Sequence, residues 1–140
     1  MAENLHLLAE SLNMALEFEA REQRVGDFRA DLVCRNPVDN SRVVIENQLT
    51  RSDHGHLGQV LTYAAGLQAV TVIWVAAEFR REHRATLNWQ NEITAERFRF
   101  FGVELYTWQI QASRYVEFAI IAKPADWMQS EGARRYLIPE

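Results

Sequence analysis

The stretch VVIENQL (43–49) sets a carboxylate and two amides, Glu46, Asn47 and Gln48, inside a run of branched apolar residues. Asp31 stands in a second such run, RADLVC (29–34). If both runs are strands, side chains alternate between faces, so Glu46 and Gln48 share one face and Asn47 points to the other. Pairing of the two strands across the intervening NPVDNS (36–41) brings Asp31 close to Glu46 on that shared face. Two carboxylates held there repel each other, and each resists desolvation. A divalent cation offsets both costs. Mg²⁺ is held by one or two carboxylates, keeps several waters and completes its octahedron with substrate phosphates. Taken singly, Asp31 could instead pair with Arg29 or Arg42 at a sheet edge; with Glu46 and Gln48 beside it, the metal site is favoured.

The elements that must position these groups follow from the pattern. Leu5, Leu8 and Leu12 recur at helical spacing over residues 3–13. ALEFEAREQR (15–24) and FRADLVCR (28–35) alternate on either side of Gly26-Asp27, which reads as a β-hairpin. NPVDNS is dense in turn residues and leads into a third strand, 42–49, giving an antiparallel meander. Ser52 and Asp53 are good N-cap residues for a helix carrying Leu57, Val60, Leu61, Ala64 and Leu67, with Gly66 near its end. AVTVIWVAA (69–77) is a continuous apolar strand of the kind covered on both faces. A second amphipathic helix is expected over 80–94, with Leu87 and Ile93 among its apolar positions. One or two strands broken near Gly102 follow over 97–110, and another over 114–124 ends at Pro124. From Asp126 the tail reads as a short helix and then loose chain. The order is α-β-β-β-α-β-α-β-β, an α/β fold with a mixed sheet flanked by helices. With no repeat or linker, residues 1–140 read as one domain whose tail is 126–140.

The arrangement Asp31 … Glu46-Asn47-Gln48 resembles the PD-(D/E)XK nuclease signature, in which an aspartate on one strand is followed by Glu-x-Lys on the next. The α-β-β-β-α-β order is similar to that superfamily's core. In GQVLTYA (58–64), Gln59 and Tyr63 lie four apart on one helical face and resemble the Q-x-x-x-Y motif of its RecB-like branch. The longer run VGDFRADLV … VVIENQL … DHGHLGQVLTYAAG resembles uncharacterised prokaryotic domains of the same type, and the resemblance covers roughly residues 3–110. It implies a restriction-endonuclease-like fold and Mg²⁺- (or Mn²⁺-) dependent hydrolysis of DNA phosphodiester bonds. Asp31, Glu46 and the main-chain carbonyl of Asn47 would then be ligands, with Glu10 or Glu22 a further one. Gln59 and Tyr63 either face substrate or orient the site, or are ordinary helix surface. The sequence departs from the signature at Gln48, where the family has a lysine that orients water and stabilises charge. Glutamine orients a water by hydrogen bonding but carries no charge, so the nucleophile would rest on the metal or on a helper base.

DHGH (53–56) suggests a metal at first sight, but His54 and His56 are two apart, do not share a helical face and have no cysteine partner. A phosphate near Arg51 and His54, at a helix N-terminus, is the better use of this loop. His83 and the RREHR stretch (80–84) read as a solvated helix face, and Trp74, Trp89, Phe100, Phe101 and Trp108 as core. Composition permits these readings. The net charge is −4, and Lys123 is the one lysine, so phosphate contacts would fall to arginine. Cys34, the one cysteine, excludes an internal disulfide and a thiolate cluster. The apolar run at 70–77 is far too short to span a bilayer, and the acidic N-terminus lacks the order of a secretory signal. A cytoplasmic protein acting on DNA, without a membrane partner, is expected. Two rivals share the fold: a catalytically inactive nucleic-acid-binding module, and a homodimerisation unit using the Arg80–Arg84 face.

Overall fold

The computed structural model describes residues 4–25, 28–128 and 135–138, without the side chains of 21–30 and 49. Its elements run α1 (Leu5–Leu12), β1 (Glu17–Val25), β2 (Phe28–Asn36), β3 (Ser41–Arg51), α2 (His54–Leu67), β4 (Thr71–Glu78), α3 (Arg81–Ile93), β5 (Arg99–Ile110), β6 (Ser113–Ala122) and β7 (Arg135–Ile138). The strands form one sheet in sequence order. β3, β4 and β5 are parallel to one another, and every other pairing is antiparallel.

The β2–β3 turn fixes the register on which the site depends. Asn36 Oδ1 accepts from Val38 N–H (3.0 Å), Asp39 Oδ1 from Ser41 N–H (3.0 Å), and Asn40 takes the left-handed region at φ 63°. Asparagine tolerates that region where branched residues do not. Closure there pairs Asn36 with Ser41, and the ladder continues to Leu32 opposite Ile45. Asp31 and Glu46 follow immediately beyond that last pair. The Gly26-Asp27 turn of the first hairpin lies outside the described residues.

Alternation along these strands builds two cores. Leu32, Cys34, Val43, Ile45, Ile73, Val75, Phe101 and Val103 face α1, which buries Leu5, Leu8 and Leu12 against them. Val33, Val44, Val72, Trp74 and Phe100 face the opposite way, toward Val60, Tyr63, Ala64 and Leu67 of α2 and Leu87 of α3. Both parallel crossovers, α2 and α3, therefore lie on one face, as same-handed connections advancing in one direction require. Thr71 to Ala76 of β4 are buried throughout, the double cover expected from a run without alternation. Gly102 lets α3 approach the sheet, since a Cβ there would sit 2.9 Å from Leu87 Cδ1 and 2.8 Å from Ile121 Cδ1.

Several expectations are corrected. The tail contributes a strand, β7, which pairs with β6 where loose chain was expected; the short helix expected from Asp126 is not present at 126–128, and residues 129–134 lie outside the described residues. Residues 99–110 form one continuous strand, with a register shift after Gly102 against β6. Gly66 lies near the end of α2, as expected, and the C-cap is Gln68, left-handed at φ 54°. Trp89, Ile93 and Trp108 are exposed, because α3 packs through His83 and Leu87 and the far end of β5 extends beyond helix cover. His83, expected in solvent, is buried. Among the described residues, no helix is long and apolar enough to cross a membrane.

Candidate active site

The acid pair sits where β2 leaves β3. Asp31 is half-buried, and its Oδ2 accepts from Asn47 N–H at 2.9 Å, so the carboxylate takes a backbone donor just past the last ladder pair. Glu46 is 4% exposed, and its Oε2 is buried without a hydrogen-bond partner. Burial first, and then the neighbouring Asp31 charge, push the Glu46 carboxyl up to about 7, while His56 pulls it the other way. His56 Nε2 lies 4.0 Å from Glu46 Oε1. The Asn47 side chain follows strand alternation to the other face, where its Oδ1 is buried and unpartnered.

Gln48, on the Glu46 face, is engaged at both ends. Its Oε1 accepts from Trp74 Nε1–H at 3.2 Å. Its NH₂ faces Arg51 O (2.6 Å), Asp53 Oδ2 (3.0 Å) and Thr50 Oγ1 (3.2 Å), three acceptors for two hydrogens. A lysine here would leave the buried Trp74 N–H without an acceptor. The glutamine is thus matched to Trp74 and ties the end of β3 to the start of α2. Asp53 passes the constraint on: its Oδ1 accepts from both His56 N–H (2.8 Å) and His56 Nδ1 (2.9 Å). A chain of contacts runs from Trp74 through Gln48, Asp53 and His56 back to Glu46.

A second chain pins α3 beside it. Ser52 Oγ accepts from Arg80 N–H (2.8 Å) and lies 2.7 Å from His83 Nδ1. His83 Nε2 in turn lies 2.7 Å from His54 Nδ1. Burial, with His54 adding to it, holds the His83 imidazole below its ordinary range. Arg51 is exposed and 3.9 Å from Glu78. At the α2 N-terminus the Asp53 carboxylate caps the helix by accepting from the His56 amide.

Of the residues expected at the site, Asp31, Glu46 and Gln48 come together on one face, with Arg51 and His54 at its rim. Gln59 is half-buried on α2, and Tyr63 is buried one turn further along among the core residues. Glu10 is exposed on α1, whose core lies across the sheet from Glu46. Glu22 belongs to β1, and its side chain lies outside the described residues. His56 and Asp53 were not anticipated as part of the acid cluster. The signal available was Asp53 at the N-cap three residues before His56, the spacing that lets a cap carboxylate meet a first-turn side chain.

The donor set suits a hard cation. Among the described residues, no group of three His, Cys, Asp or Glu side chains converges as a ready-made cluster. Two carboxylates, one with an orphaned buried oxygen, match the smaller protein share that Mg²⁺ requires.

No family model matches the chain, and no curated protein does. Solved structures do match. A repair endonuclease from Pyrococcus abyssi superposes with a TM-score of 0.51 at 21% identity, over 61% of this chain and 41% of that one. EndoMS in a complex with dsDNA superposes with a TM-score of 0.58 at 21% identity, over 74% of this chain and 43% of that one. The chain shares its fold with these two proteins. It spans less than half the length of either.

Proposed function

We propose that this chain is a metal-dependent DNA nuclease whose Asp31 and Glu46 carboxylates hold Mg²⁺ or Mn²⁺, with the Asn47 main-chain carbonyl as a third protein oxygen. The observation that carries the reading is the buried Glu46 carboxylate beside half-buried Asp31, with Glu46 Oε2 unpartnered, an arrangement costly in an apolar sheet unless a cation joins it. The fold likeness to two endonucleases, one in complex with DNA, supports a phosphodiester as the bond attacked.

An ion held there supplies Lewis acidity: a more acidic coordinated water and a counter-charge for the phosphate. The chain's own residues set the geometry. Asn47 N–H fixes the Asp31 carboxylate. Gln48 is a positioning residue that holds Asp53, and through it His56, against Glu46. The second lone pair of Gln48 Oε1 is what the amide retains for orienting a water. Arg51 and His54, at the rim, would meet the DNA backbone in this reading.

Supercoiled plasmid incubated with Mg²⁺ or Mn²⁺ tests this. Cleavage by the wild type, lost in Asp31→Ala and in Glu46→Ala, is the expected result; cleavage that survives both substitutions refutes the assignment. The engagement of Gln48 by Trp74 and Asp53 favours one alternative, a module that binds nucleic acid without cutting it. That reading requires metal-independent binding and intact plasmid.

A further inference from the structure

Beyond the acid pair, the sheet carries a second surface on the same face. Glu46 is level with Trp74 on β4 and Gly102 on β5. β4 ends at Glu78, whereas β5 continues to Ile110, paired with β6, which is in turn paired with β7. Leu105 and Val116 belong to the α1-side core, so alternation turns Tyr106, Trp108 and Ile110 to the face of Glu46. α3 begins at Arg81 and packs over Gly102, and among the described residues no helix covers this overhang. Tyr106, Trp108 and Ile110 are 39%, 40% and 45% exposed. Tyr115 lies opposite Trp108, and Leu137 opposite Tyr115, so the row is a three-stranded platform rather than scattered side chains.

The chemistry of the platform selects its partner. The Arg135 guanidinium lies 3.9 Å from the Trp108 ring centroid and 3.6 Å from Glu117. Glu104 is occupied by Phe79 N–H (2.8 Å) and the Tyr106 hydroxyl (2.6 Å). With these charges paired, the platform offers flat π-surfaces and a stacked guanidinium, not a cationic groove for phosphates. Same-face neighbours on a strand stand about 6.8 Å apart, which is about twice the 3.4 Å rise of stacked bases. One base plane fits between successive side chains of the row. Trp108 is six residues beyond Gly102, about 20 Å along the strand and two strands across from Glu46, within reach of a few nucleotides.

We propose that the β5–β6–β7 overhang, through Tyr106 and Trp108, stacks unpaired bases of the strand next to the scissile phosphate. DNA with a single-stranded or frayed segment is then the preferred substrate class. The continuity argument rests on the nuclease reading; the stacking chemistry does not. Binding of this kind tolerates any base, because every base presents a π-face to the aromatic side chains.

The test is fluorescence anisotropy with the full chain, without divalent metal, on a short oligothymidylate, a blunt duplex and that duplex with an overhang. The wild type should favour the oligothymidylate and the overhang over the blunt duplex. Trp108→Ala should weaken those two roughly tenfold, with Trp108→Phe close to wild type and the blunt duplex unaffected. Photocrosslinking of wild type to an iodouracil-substituted oligonucleotide should map to residues 106–115, and it needs no substitution to fold. Unchanged oligothymidylate affinity in Trp108→Ala, or crosslinks mapped elsewhere, overturns the proposal. So does light scattering showing that Trp108→Ala separates a dimer while oligonucleotide affinity stays the same. The plasmid assay separates the two readings: intact plasmid with wild type, together with oligothymidylate affinity that falls in Trp108→Ala, means that only the nuclease assignment is wrong.

Discussion

Replacing Glu46 by glutamine keeps the shape of the side chain and removes its charge, and the metal-free protein should become more stable at neutral pH as a result. Burial and Asp31 raise the Glu46 carboxyl from 4.5 to about 7. The folded state therefore holds this proton more tightly than the unfolded chain does. The stability that the proton supplies is fully present below 4.5, declines as pH rises, and is gone above about 7. At about 1.4 kcal/mol per pH unit, the loss is about 3 kcal/mol. For a chain of this size that is roughly 10 °C in Tm. Asp39 and Asp53, which hydrogen bonds hold below the usual carboxylate range, slope the other way, but they are common to both proteins and cancel in the difference. Thermal melts of wild type and Glu46→Gln in chelator, from pH 4.5 to 8.5, give that difference directly. It should be small at the acid end and open steadily toward pH 7, with the variant the more stable. Parallel curves would refute the claim that an uncompensated buried carboxylate occupies this position.

Other consequences can be checked alongside. Gln48→Lys leaves the buried Trp74 N–H without an acceptor, so it should cost about 1–3 kcal/mol in urea unfolding and not increase cleavage; a variant both stable and more active would contradict the positioning role. His56→Ala removes the group that draws Glu46 back toward its charged form, so the pH dependence of Mn²⁺ binding, followed by calorimetry, should move to higher pH. Ser52→Ala breaks the link from Arg80 N–H to His83 and should lower the urea midpoint by the equivalent of about 1–3 kcal/mol with the m-value unchanged. Gly102→Ala forces Leu87 and Ile121 aside, a cost of about 1–3 kcal/mol visible as a lower Tm.

The acid pair was legible because every step toward it is local. The turn residues of 36–41 set the β2–β3 register, and alternation then assigns Asp31 and Glu46 to one face. The same holds for Asp53 as an N-cap and for the unbroken apolar run of β4. What escaped depends on partners distant in sequence. β7 is four residues whose only reason to be extended is the edge of β6. His83 looks solvated within RREHR, and is buried because Ser52, 31 residues earlier, supplies a hydroxyl. Gln48 reads as a failed lysine until Trp74, 26 residues on, shows what its amide accepts. Trp108 reads as core by composition, and is exposed because β5 outruns the helices that cover its neighbours.

A crystal soaked in Mn²⁺ and measured at the manganese edge addresses the acid pair most directly. An anomalous peak bonded to both an Asp31 oxygen and Glu46 Oε2, absent from Glu46→Gln crystals, is the predicted outcome. No peak at saturating Mn²⁺, or one that ignores Glu46, would show that these carboxylates keep company for some reason other than a cation.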